Sequence, residues 1–383
     1  MKIAMIAPPF ISVPPQKYGG TELVIYNLIE ELEKLGHTVY LFANKESKAS
    51  CELFSYWNSP KIMDLAAPIE DKEFVHELCI KYAYVMAEKL GVDIIHDHTL
   101  TRNTTSIPTI TTLHGPAADT IVDMCHRYSC DAPHYFVSIS ERQQKLFLEK
   151  NSDINFAGTV HNGVETELFP FNDKKEDFIL FMGRVNWEKG LDAAIRIATQ
   201  AKEHLSMCIK KEEDFEIEFF DEVIQPSINT FPKDLRLGIH ENKDRKFLVD
   251  QFMRAKCTLF TSQWEEPFGL VMIESMLCGT PVIAFNRGAA PEVIRDGVTG
   301  FIVESEEEMV EALKKVDTID PQQCRDHVIQ HFSREVMADR YARVYEEVIA
   351  HYRGGSVERL EPVTVFESSM LGKALAKEVQ IYN

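Results

Sequence analysis

The chain has 383 residues, enough for two domains at roughly 100–200 residues each. Apolar residues make up 45% and charged residues 26%, an ordinary globular balance, and the net charge of −19 argues against non-specific nucleic-acid binding, which needs a basic surface. Residues 1–170 carry 14 Lys and Arg against 22 Asp and Glu, so there is no basic excess for an anionic membrane.

No run of about 18 apolar residues occurs, which gives no signal for a membrane span. The eight Cys are scattered without a Cys-x-x-Cys and read as reduced, mostly buried thiols of a cytoplasmic protein; Cys125 and Cys130 are near enough in sequence to pair or to ligate a metal. The apolar opening, residues 1–9, is too short for a secretory leader and meets Pro8 and Pro9 at once, so residues 3–7 read as a buried first strand. Val24, Leu28, Leu32 and Leu35 recur near the helical period and predict a helix over 21–35, ended by Gly36. A strand follows at 38–43, a helix at 74–90, strands at 93–96, 109–113 and 135–138, and a helix at 141–149. The same rhythm restarts with a strand at 178–182 and runs to about residue 303, with final helices at 321–331 and 334–353.

Alternating strands and helices imply parallel sheets covered on both faces. The expected fold class is α/β, with two Rossmann-like doubly wound domains facing across a cleft. The first covers residues 1–165 and the second 175–330, joined by a linker at 163–175 that carries Pro170. Residues 331–383 form a C-terminal helix and a tail that either crosses back to the N-terminal domain or stays loosely ordered.

In open parallel sheets ligands bind beyond the carboxyl ends of strands, so the residues that follow strands carry the chemistry. Lys17-Tyr18-Gly19-Gly20-Thr21 opens a helix after the first strand. Its glycines let backbone approach a ligand, and the helix N-terminus suits phosphate, although a simple turn explains the same residues. It lacks both the dinucleotide and the Walker fingerprints. Gly183-Arg184-Val185-Asn186-Trp187-Glu188-Lys189-Gly190 follows the first strand of the second domain. Arg184 offers a planar donor fork and Lys189 a point charge, and together they suit a diphosphate.

Glu266 and Glu274 bracket Pro267-Phe268-Gly269-Leu270-Val271-Met272-Ile273 after the apolar strand 257–260, with a helix expected to begin near Phe268 or Gly269. Carboxylates accept strong hydrogen bonds from vicinal diols, so one acid suits sugar hydroxyls and the other a ribose; a helix-start acid plus a surface acid is the plainer alternative. The backbone N–H groups of Phe268, Gly269 and Leu270 would face the same ligand. His114, in Leu113-His114-Gly115-Pro116, ends a strand and points to the mouth of the cleft, with a structural hydrogen-bonded His as the alternative. His96 and His98 alternate by two and could share a face as metal ligands, but no third ligand is near, and both read as structural.

Taken together these segments resemble the retaining glycosyltransferases of family four, the glycosyl transferases group 1, which have the GT-B fold. The match runs through EPFGLVMIESMLCGTPVIAF and RGAAPEVIRDGVTGFIV, with GRVNWEKG, KYGGTE, Ser138-Ile139-Ser140, HNGV and the YARVYEEV helix also similar. The resemblance implies that Glu266 holds donor-sugar hydroxyls and Glu274 the nucleotide ribose. It implies that Arg184 and Lys189 neutralise the diphosphate, that Gly19 and Gly20 approach it, and that His114 lies beside the transferred sugar. Cys208-Ile209-Lys210-Lys211 departs from a loop that is often glycine-rich in relatives, and Lys210 supplies an extra cation there.

The implied activity is transfer of a hexose, with retention, from a nucleotide diphosphate sugar to a sugar or small-molecule acceptor. UDP-glucose is the first choice of donor, and no cofactor is required. A soluble acceptor is favoured, contacted by loops 8–18, 43–60 and 99–106. The sequence contains no Asp-x-Asp, consistent with the cation pair in place of a metal. A GT-B sugar phosphorylase or epimerase, and a non-catalytic nucleotide-sugar-binding protein, are the alternatives.

Overall fold

The computed structural model describes residues 1–16, 19–56, 69–101, 103–130 and 134–354. Lys17 and Tyr18 of the glycine segment, residues 57–60 and Arg102 of the expected acceptor loops, and the tail from 355 to 383 lie outside the described residues. The chain forms two compact units. One holds Met1–Val164 and the helix Arg334–Arg353, the other Glu165–Ser333.

The first unit is built on a seven-stranded sheet: β1 Lys2–Ile6, β2 Thr38–Ala43, β3 Glu52–Ser55, β4 Ile94–Asp97, β5 Thr109–Leu113, β6 His134–Ser138 and β7 Phe156–Thr159. Their order is β3-β2-β1-β4-β5-β6-β7, and every pairing is parallel. Strands β4, β5 and β6 are buried at every position, as expected of a parallel sheet with both faces covered. The helix Gly20–Lys34 turns Val24, Ile25, Leu28, Ile29 and Leu32 inward. Leu35, predicted on that face, is instead the C-cap residue and is 47% exposed, because the helix ends one residue earlier.

Among the described residues of the first unit, three elements escaped the sequence reading. Strand β3 lies inside the stretch 43–60 taken as a loop; it is a partly exposed strand at the sheet edge, so it carries no buried apolar run. Helix Asp119–Ser129 buries only Val122 and Cys125, and β7 is four residues long. The C-terminal helix Arg334–Arg353 is part of the first unit's core. Tyr341 and Tyr345 are fully buried, and their hydroxyls bond Thr112 Oγ1 at 2.8 Å and His96 Nδ1 at 2.7 Å. Fully burying one large apolar side chain is worth about 1.5–3 kcal/mol, which ties this remote segment firmly to β4 and β5.

The second unit carries six parallel strands: β8 Glu176–Arg184, β9 Leu205–Lys210, β10 Leu237–Glu241, β11 Ala255–Phe260, β12 Val282–Phe285 and β13 Gly300–Val303. Their order is β10-β9-β8-β11-β12-β13. In each sheet the order reverses once, between β1 and β4 and between β8 and β11. Connections leave to opposite faces at such a reversal, which opens a crevice at the strands' carboxyl ends. Among the described residues no helix is long and apolar enough to cross a membrane.

Candidate active site

The reversal in the second sheet gathers most of the predicted residues. Strand β8 ends at Arg184, and Asn186 caps the short turn Trp187–Lys189 by accepting from the Lys189 N–H at 3.2 Å. Gly190 then takes φ +67°, and a Cβ there would stand 2.1 Å from the Thr261 carbonyl oxygen. Only glycine lets this loop lie against the end of β11. Hydrogen bonds stitch the two loops together: Thr261 Oγ1 donates to the Gly190 carbonyl at 2.8 Å, and Gln263 N–H to the Glu188 carbonyl at 2.7 Å.

The stitching brings Lys189 and Glu266 together, with Nζ 2.5 Å from Oε2. The indole N–H of Trp264 donates to the same oxygen at 2.8 Å, and the Lys189 ammonium lies 5.4 Å from the Trp264 ring centroid. Trp264 was missed in the sequence; its place two residues before Glu266 was the available signal. The following helix is Leu270–Leu277, later than expected, because Gly269 takes φ +87° as its N-cap. Phe268 is buried, with its ring edge-on against Phe332.

Glu274 sits in the second turn of that helix. Burial pushes its carboxyl up to about 7, with the nearby Arg245 guanidinium opposing. Arg184 and Lys210 are ladder neighbours on β8 and β9. Each has its own acid. Arg184 Nε donates to Glu216 Oε1 at 2.6 Å, and Lys210 Nζ lies 3.0 Å from Glu212 Oε2. Of the two loop cations, Lys189 turns to Glu266 and Arg184 to Glu216.

The first unit holds Gly19, Gly20 and His114. Gly19 is the N-cap of the first helix, and a Cβ on it would meet Glu22 Oε2 at 2.7 Å and Pro15 Cβ at 2.8 Å. Gly20 is that helix's first residue. His114 follows β5, and its Nε2 lies 2.9 Å from Nδ1 of the buried His98, which follows β4. His98 Nε2 lies 3.2 Å from Met5 Sδ.

A thioether accepts but cannot donate, so in neutral His98 the proton sits on Nε2. Nδ1 of His98 then accepts from His114 Nε2–H, and His114 is left with Nδ1 as an acceptor. Burial holds both rings neutral: the His98 pKa falls well below its usual value, with His96 and His114 adding to the effect, and His114 falls to about 4. His96 is bonded through both nitrogens, to Tyr345 and to Thr112 Oγ1, a structural role. Among the described residues no group of three His, Cys, Asp or Glu is placed to hold a metal ion. Cys125 and Cys130 are both free thiols.

Two family models match consecutive parts of the chain: Glycosyltransferase Family 4 over residues 18–168, and Glycosyl transferases group 1 over residues 165–326. An uncharacterized glycosyltransferase of Methanocaldococcus jannaschii is 25% identical over 361 residues, covering 86% of this chain and 95% of that one. Among solved structures, the sucrose-phosphate synthase of Thermosynechococcus elongatus superposes with a TM-score of 0.73 at 19% identity, covering 91% of this chain and 99% of its own. HepE of Anabaena in complex with UDP-glucose superposes with a TM-score of 0.68 at 18% identity, covering 90% and 99%. These structures share the fold, two parallel-sheet α/β domains of GT-B type. The chain is a glycosyltransferase of GT-B fold and belongs to group 1 of the glycosyl transferases, family four.

Proposed function

We propose that this enzyme transfers a hexose with retention of anomeric configuration from a nucleotide diphosphate sugar, UDP-glucose first among donors, to a soluble acceptor. The observation that carries the reading is the meeting of Lys189, Glu266 and Trp264 at the strand reversal of the second sheet. A cation and a carboxylate in contact offer complementary halves of a sugar-phosphate site: the ammonium for phosphate oxygens, the carboxylate for hydroxyls. UDP-glucose is the ligand named for one solved relative of the same fold, which supports the choice of donor.

In this reading Arg184 and Lys189 face the diphosphate, with Lys210 as a further cation. Glu266 accepts from the sugar hydroxyls and Glu274 from the ribose diol. The N–H groups of Phe268, Gly269 and Leu270 assist at the start of the helix. The parts played by Gly19, Gly20 and His114 rest on the family resemblance; an Nδ1 acceptor on His114 suits a sugar hydroxyl.

As the bond from the anomeric carbon to the diphosphate oxygen breaks, negative charge grows on the leaving group. The acceptor oxygen bonds that carbon from the same face, and its proton passes to the leaving phosphate. Cations already in place stabilise this charge at no reorganisation cost at the moment of reaction. Glu266 is not cast as a covalent nucleophile, because its assigned place is at the sugar hydroxyls.

A panel of nucleotide sugars scored by thermal shift tests the donor, since a ligand at 100 times its Kd stabilises the fold by about 2.7 kcal/mol. UDP-glucose should give the largest shift, and a product with the donor's anomeric configuration, read by proton NMR, should follow. No shift with any nucleotide sugar would overturn the reading.

A further inference from the structure

We propose that Glu216 is a positioning residue for the donor diphosphate, acting by fixing the plane of the Arg184 guanidinium; the proposal rests on the phosphate role given to Arg184 above. Glu216 is completely buried, an unusual place for a carboxylate unless it is paired. Both of its oxygens are in use. Oε1 accepts from Arg184 Nε at 2.6 Å, while Oε2 accepts from the backbone N–H groups of Glu212 at 2.9 Å and Glu213 at 3.0 Å.

The carboxylate is thus anchored to the backbone at the start of the helix Asp214–Phe219, where it also closes a reciprocal capping box with Glu213. Arg184 comes from a different element, the end of β8. Its side chain is one-third exposed and passes within 6.0 Å of the Phe215 ring centroid. Burial pushes the Glu216 carboxyl up, but the two backbone N–H groups and the guanidinium outweigh it and leave the acid below its usual range.

Pinning Nε fixes the orientation of the whole planar fork, since the guanidinium is rigid. An arginine held in this way loses less rotamer freedom when a diphosphate arrives, and preorganisation of this kind raises affinity by cutting the ordering cost. A plain helix cap would leave the direction of Arg184 without consequence. Two effects of opposite sign compete here. Glu216 also neutralises part of the Arg184 charge, so if charge alone mattered, removing the acid would tighten diphosphate binding. If positioning dominates, removal weakens it. Partners that orient first-contact ligands at metal sites are worth about 10–100-fold, and an effect of that order is expected here.

The experiment is a double-mutant cycle on the full chain with Glu216→Gln, Arg184→Ala and the double variant, read as Kd by calorimetry. UDP, GDP and ADP are the probes, and the tightest is carried through. Expected results are about a tenfold or greater loss for Glu216→Gln, a larger loss for Arg184→Ala, and no further loss when Glu216→Gln is added to Arg184→Ala. Tighter or unchanged binding by Glu216→Gln, or an additive double variant, overturns the positioning role. Should Glu216→Gln fail to fold, Arg184→Lys decides: it keeps the charge but loses the planar fork, so it should also bind about tenfold or more weakly, and wild-type affinity overturns the proposal. Wild-type affinity in Arg184→Ala, or no binding of any probe to the wild-type chain, overturns the underlying phosphate role instead.

Discussion

Lys189 Nζ lies 2.5 Å from Glu266 Oε2, although 77 residues separate the two in sequence. The contact exists because Gly190 allows the loop after β8 to rest on the end of β11. Under the proposed function, a donor sugar diphosphate would exchange this contact for its own, the ammonium turning to phosphate and the acid to hydroxyls. Only 23% of the Lys189 and 13% of the Glu266 side chain is exposed, so removing either partner should cost some stability as well as catalysis, and the kinetic loss is to be read on folded protein. Lys189→Ala and Arg184→Ala should each lower kcat on the order of 10²–10³-fold, with acceptor KM little changed. Near-normal transfer by either variant would remove the phosphate role.

Glu274 supplies a pH signature. Its pKa of about 7, raised above 4.5 by burial, means that the free enzyme holds much of this acid protonated at and below neutrality. A ribose diol donates to the carboxylate form, so donor KM should fall as pH rises through about 7 and level off above it. Glu274→Gln should flatten that profile and bind donor weakly at every pH. The stability effect runs the other way. The folded state retains a proton that the unfolded state has lost between 4.5 and about 7, so this group's contribution declines as pH rises across that window. A wild-type pH profile of KM in Glu274→Gln would show that the ribose is held elsewhere.

The His98–His114 contact predicts one tautomer. Nitrogen-15 shifts should show His98 protonated at Nε2 and His114 protonated at Nε2 with a bare Nδ1, stable down to about pH 5; the opposite tautomer of His114 would contradict the role of Met5 as acceptor. The same burial has a stability consequence. His96, His98 and His114 stay neutral in the fold, but all three gain protons in the unfolded chain as pH falls below 6.5, so folding stability should drop between about 6.5 and 4. Asp97, raised to about 6, Glu274, raised to about 7, and Glu22, also raised, all chiefly by burial, oppose this over part of the range, while His37, His76, His240 and His327, lowered chiefly by burial, add to it. Urea melts at pH 7.5 and 5 should show the loss, and His96→Gln should reduce it.

Gly190→Ala tests the stitching. The substitution strains a positive φ and drives a Cβ into the Thr261 carbonyl. It should destabilise the chain by roughly 1–3 kcal/mol in urea titrations and displace Lys189 enough to depress kcat as well. Gly297→Ala, also at positive φ but with open space around the new Cβ, is the control; it should cost less and leave kcat alone.

Much of this protein is legible in its sequence. The alternation of short strand segments with helical stretches placed 38–43, 109–113 and 334–353 at their observed boundaries, and all three pack into the core of the first unit. The ordered motifs from Gly183 to Gly190 and from Glu266 to Val303 begin at or just after the ends of β8 and β11, where a parallel sheet lets a ligand be reached. Elements whose burial is slight, β3 and the helix Asp119–Ser129, left no such trace.

Pairing was decided only by tertiary structure. Sequence spacing alone names no partner for Arg184 or Lys189; the fold turns the first to Glu216, from the helix Asp214–Phe219, and the second to Glu266, from the loop after β11. The state of His114 likewise depends on a histidine just after β4 and a sulfur from β1. Local sequence sets which element forms and what chemistry it carries. Strand order decides which of those chemistries touch, because the contacts that complete the fold join residues far apart along the chain.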